Sequence, residues 1–156
     1  MKVVQFVIGG LILTAMIGGG CGEESAQSLF DRGAGEFQDG NYDQAILHYQ
    51  KGLELEPGLA EGFYLLGLAY RMKYNTLRAA QWKEMEIDAF RKAVAADSTH
   101  ELAHINLAAT LYYLGDKKEA AHYFRRALEL NPDNPERKQL EQFIREGGEE
   151  VPDRRD

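Results

Sequence analysis

From Ser28 to Leu55, and again from Asp116 to Leu130, apolar side chains recur every three or four residues with polar ones between them. That spacing predicts amphipathic helices, each turning one face to a core. In the first stretch a helix is expected from Ser28 to Phe37, then a turn at Asp39-Gly40-Asn41. A second helix follows from Tyr42 to Leu55, with Tyr42, Ala45, Ile46, Tyr49 and Leu53 on its buried face. Asn41 is placed to cap it, and Gln44, three residues on, to return the bond. The later stretch repeats the scheme with Asp116 as cap, Glu119 as its partner, and Ala120, Tyr123, Phe124, Ala127 and Leu128 as the apolar face.

The helices end at Leu55-Glu56-Pro57, Ala96-Asp97-Ser98 and Leu130-Asn131-Pro132, so Ser98 and Pro132 are 34 positions apart and Pro57 and Ser98 are 41. The second spacing is the first plus seven. Units of this length cannot bury their apolar faces alone, so they must stack, and the stack offers a curved surface to a partner.

Within each unit the residues resemble the tetratricopeptide repeat, a 34-residue helix-turn-helix. The second unit supplies Phe63, Leu66-Gly67, Tyr70 and Ala93, with Ser98 in place of the final Pro. The third supplies His104, Leu107-Ala108, Leu111, Ala120, Phe124, Ala127 and Pro132, and the first Leu29, Gly33, Ala45, Tyr49, Gly52 and Pro57, with Arg32 and Glu36 as departures. The resemblance covers residues 26–134 and implies an all-α fold, a right-handed α-solenoid of three helical hairpins plus a C-terminal capping helix. Gly33 and Gly67 are expected where the two helices of a hairpin approach most closely, opposite Ala45 and its equivalents. In the second unit the seven added residues fall around Tyr74 to Ala80, and Glu86 takes the place of the small alanine. Seven residues are about two helical turns, so the middle hairpin should protrude. Its tip carries Tyr74, Leu77, Trp82 and Met85, expected to cap the hairpin's own core or, alternatively, to meet a partner.

Beyond Pro132, Asn134 as cap and Pro135 at the first helical position announce another helix, with Leu140, Phe143 and Ile144 at helical spacing. Such a helix would cover the last apolar face of the stack. Gly147-Gly148 ends it, and the charged segment 147–156 is expected to be a disordered tail.

Charge narrows the partners. The formal net charge is -7, and becomes -8 without residues 1–20, whose one ion is Lys2. That balance argues against nucleic acid and favours proteins or peptides. Lys2 is followed by an uncharged, mostly apolar run from Val3 to Gly20 that ends in three glycines, the form of a signal peptide over 1–20. The one cysteine, Cys21, follows directly. This resembles the lipobox of bacterial lipoproteins, although Gly18 stands where Leu is usual; the resemblance implies lipidation of Cys21 and membrane attachment through that lipid. Domains are then a signal peptide 1–20, a tether 21–27, a repeat domain with capping helix 28–146 and a tail 147–156. The expected location is exported and lipid-anchored at the cell envelope, on the outer membrane facing the periplasm if the host is Gram-negative. An uncleaved apolar anchor and a cleaved signal with an incidental cysteine are the competing readings.

One catalytic pattern occurs. His100-Glu101-Leu102-Ala103-His104 matches the HExxH of zinc peptidases. It falls across a junction between units, where Ser98 or Thr99 should cap the next helix and Glu101 should complete a capping box, and no third ligand follows at metzincin spacing. Structural roles are expected for these residues, with a zinc peptidase through His100, Glu101 and His104 as the alternative, and no catalytic residue, metal or cofactor is assigned. The resemblance places the first helix of each hairpin on the concave face, which nominates Phe30, Phe37, Tyr64, Leu68, Arg71, Ile105, Asn106, Tyr112 and Tyr113 as a partner-binding groove. Too few cations line it for a carboxylate clamp, and an extended or helical peptide with apolar side chains suits it better. If they form a groove, Tyr64 and Tyr112 should be removable together without loss of folding. Tyr74, Leu77 and Trp82 form a possible second contact, which would make the protein a homo-oligomer through its middle hairpin. The expected function is a noncatalytic protein-interaction scaffold.

Overall fold

The structure, a computed structural model, describes residues 24–153. Seven helices make up its regular structure: α1 (Ala26–Gln38), α2 (Tyr42–Leu55), α3 (Ala60–Leu77), α4 (Ala80–Ala96), α5 (Glu101–Tyr113), α6 (Lys117–Leu130) and α7 (Arg137–Glu146). Each helix packs chiefly on its neighbours in sequence. The result is the all-α solenoid of three hairpins and a cap. No described helix is long and apolar enough to cross a membrane. The candidate signal peptide and Cys21 lie outside the described residues.

Tight turns at Gly40 (φ 80°) and Gly115 (φ 94°) close the first and third hairpins, because glycine enters the left-handed region without a Cβ penalty. The middle hairpin has α-helices of 18 and 17 residues, where those of the first are 13 and 14. It is therefore longer at its tip, as the added seven residues require. Its turn has Arg78 in the left-handed region at φ 55°.

The hairpins close differently from expectation. Gly33 faces the ring of Tyr49, and Gly67 that of Phe90: a Cβ on either would stand 2.5 or 2.6 Å from the nearest ring carbon. The glycine thus makes room for a buried aromatic of the second helix, four residues beyond the small-residue position. In the first hairpin that position is Ala45, fully buried. The third hairpin has Ala108 at the glycine position and Phe124 at the aromatic one, both buried in the same cluster.

Caps also differ. Asn41 makes no side-chain cap bond to α2 and instead donates to Glu36 at 2.8 Å. Asp116 does cap α6, accepting from the Glu119 amide at 3.2 Å, but Glu119 pairs with Arg91 rather than returning the bond. At α5 the N-cap is His100, whose Nδ1 accepts from the Ala103 amide at 3.2 Å. Asn134 turns the chain ahead of α7 by accepting from the Glu136 amide, and the helix begins at Arg137.

Leu140 and Ile144 of α7 are buried against α6, covering the end of the stack. Where a disordered tail is expected, residues 149–153 lie back on the last helices. Glu149 pairs with Arg125 at 2.7 Å, Val151 packs on the core, and the Pro152 carbonyl accepts from Arg137 at 2.8 Å. Apolar contact and paired charge hold a segment whose composition alone reads as solvated.

Candidate partner-binding face

The nominated groove residues divide into three groups. Phe30 is core: it is 6% exposed and its ring fills the space above Gly52 and Gly62. Phe37 is half-buried at the end of α1, edge-on to Tyr42. Both lie in the cluster shared by the first two hairpins.

A second group forms the seam between the middle hairpin, the third hairpin and the cap. Tyr64 leans on Phe90 and the His100 ring, with Leu68 and Ile105 packed in the same cluster. Burial, reinforced by the Glu61 carboxylate, raises the Tyr64 phenol above its ordinary value. Tyr112 stacks on Phe143 of α7 at 4.2 Å and donates to Glu146 at 2.5 Å. Lys117 and Tyr112 together hold the Glu146 carboxyl down at about 2. Removing Tyr64 and Tyr112 would therefore cost packing between hairpins, contrary to the expectation that folding would be untouched.

Arg71 and Asn106 are also seam residues. The Arg71 guanidinium donates to Glu86 at 2.7 Å, to the Asn106 side chain at 2.5 Å, and to the Asn106 carbonyl and Thr110 at 3.1 Å each. Glu86 is fully buried, and also takes bonds from Thr110 and Lys83, each at 2.6 Å. The residue that replaces the small alanine is thus the buried anchor of a network joining α3, α4 and α5. In the sequence Glu86 stands out as a departure from the repeat and Arg71 as a groove position, but their 15-residue separation gives no periodic signal that they pair.

Tyr113 is the third group alone, 79% exposed at the end of α5, with Leu114 55% exposed beside it. Between these residues and the overhanging tip of the middle hairpin lies a cavity of about 310 Å³, walled by Arg71, Tyr74, Lys83 and Ala109. At the tip itself, Trp82 stacks on Tyr70 at 5.9 Å under the Lys73 ammonium, which fits capping of the hairpin's own core. Leu77 is left exposed.

The HExxH side chains diverge. His100 Nε2 meets Glu61 at 3.0 Å, Glu101 accepts from Asn131 and Asn134, and His104 Nε2 meets the Ser98 carbonyl at 3.1 Å. His104 is buried with no partner for Nδ1, and desolvation lowers its pKa. Each residue serves the junction between units.

Family profiles match this architecture at two places, the TPR repeat over residues 33–73 and the tetratricopeptide repeat over residues 101–134. Tetratricopeptide repeats are thus recognised over residues 33–73 and 101–134. It is 31% identical over 94 residues to protein bimA of Emericella nidulans, covering 60% of the chain and 11% of that relative. It is 26% identical over 120 residues to the type IV pilus assembly protein PilF of Pseudomonas aeruginosa, covering 76% and 44%. The chain thus spans less than half the length of either. Among solved structures it is similar to the first TPR of Spaghetti (RPAP3) bound to the HSP90 peptide SRMEEVD, with a TM-score of 0.65, 25% identity, and coverage of 80% of this chain and 91% of that one.

Proposed function

We propose that the protein is a noncatalytic scaffold of the bacterial envelope that holds a peptide or protein segment along the concave side of its repeat array. The carrying observation is the aromatic and aliphatic surface that the array's own packing leaves open, Tyr113 and Leu114 beside a cavity of about 310 Å³. Apolar side chains left in water beside a concavity are what a partner segment buries. The peptide held by the similar RPAP3 domain supports the same reading. For location, the support is the apolar run over 3–20 and Cys21, together with a relative named for pilus assembly. Cys21 is the proposed lipid attachment point.

A photo-crosslinking side chain placed at Tyr113 in intact cells, with one at Leu47 on α2 as a control, tests the reading. Leu47 is 42% exposed. A discrete partner is expected at Tyr113 and absent at Leu47. Equal labelling at both sites overturns the proposal. Self-association through the middle hairpin is a second reading, favoured by the exposed Leu77 at its tip. A mass by light scattering that rises with concentration distinguishes it.

A further inference from the structure

The tip of the middle hairpin is basic as well as long. Residues 71–83 contain Arg71, Lys73, Arg78 and Lys83 and no carboxylate, in a chain of net charge -7. Glu84 follows directly and is exposed, and Glu86, two residues further on, is fully buried. Lys73 is paired with Asp43 at 2.8 Å. Arg78 has no ion pair among the described residues, and its guanidinium stands 5.7 Å from the centre of the Tyr74 ring.

The cavity wall repeats this imbalance. Arg71 spends its donors on Glu86, Asn106 and Thr110. Lys83 gives one N–H to Glu86 and lies 4.1 Å over Tyr74, so its ammonium, which has three N–H groups, keeps capacity for another acceptor. Two cations therefore face one buried carboxylate that offers the cavity no surface. The opposite wall is apolar, formed by Ala109, Leu114 and the exposed Tyr113.

We infer that this notch is a specificity site for a peptide segment that places a carboxylate side chain next to an aromatic or aliphatic one, the acid on Lys83 and the apolar side chain against Tyr113 and Leu114. The inference rests on the reading of the chain as a peptide-binding scaffold. A charge-assisted bond at a partly desolvated site and an apolar contact together give both selectivity and affinity. The seven-residue addition contributes Tyr74 and Asn75 to the lining of the notch.

A random heptapeptide display library selected on the full chain tests the inference. Enrichment of peptides with Asp or Glu beside Phe, Tyr, Leu or Ile is expected. A synthetic copy of the enriched peptide, amidated at its C-terminus, should bind about tenfold more weakly to Lys83→Gln, with binding restored in Lys83→Arg. Tyr113→Ala should weaken it without altering the melting temperature. Enriched peptides lacking acid, or affinities indifferent to both substitutions, overturn the notch and leave the scaffold reading standing. No enrichment overturns both.

Discussion

His104 shows how one side chain can look like chemistry and serve packing. Its ring lies 5.9 Å from Tyr123, one nitrogen meets the Ser98 carbonyl, and the other is buried without a partner. Burial favours the neutral ring. Its folded-state pKa is lowered from 6.5, so between that lowered value and 6.5 the unfolded chain binds more protons than the folded one. Stability then rises with pH across this window and is complete above about 6.5. Melting temperature followed from pH 5 to 7.5 should fall on the acid side, and the fall should shrink in His104→Leu. A melting temperature that is flat in the wild type, or falls equally in the variant, would contradict this. Glu146 titrates near 2, well below that window.

At the scale of elements, the seam between the second and third hairpins is held by ions as much as by apolar contact. Glu86 is fully buried, while the Arg71 side chain is 25% exposed and that of Lys83 is 18%. Removing one member leaves the others desolvated and unpaired, so Glu86→Ala should cost about 2–3 kcal/mol, below the cost for fully buried pairs. Arg71→Met in the same chain should recover part of that. A double-mutant cycle by urea unfolding is expected to give a coupling above about 1 kcal/mol, and additive losses would show that the network is incidental. The elements themselves were legible from Ile46, Tyr49, Phe124 and Leu128, because helical periodicity is a local property. The caps were less so: Asn41 and Glu101 bond across to Glu36, Asn131 and Asn134 instead of within their own turns. Tertiary partners outcompeted the local capping box. The groove was least legible, because first-helix positions nominated alike differ in burial: Phe30 is buried, Tyr64 half-buried and Tyr113 exposed, according to what the neighbouring hairpin places over each.

For the whole molecule, unequal repeats matter more than their number. Three identical hairpins and a cap would present an even curved face. The lengthened middle hairpin breaks it, and α7 seals the far end by placing Phe143 on Tyr112 and Phe124. On the proposed reading the partner meets Tyr113 and Leu114, with Lys83 in the wall of the same cavity. The most direct measurement is calorimetric titration of the partner segment recovered by crosslinking into wild type, Tyr113→Ala and Leu47→Ala. A loss of about 1–2 kcal/mol is expected for Tyr113→Ala, with unchanged melting and with wild-type affinity in Leu47→Ala. Equal affinity in all three, or a loss confined to Leu47→Ala, would contradict the account.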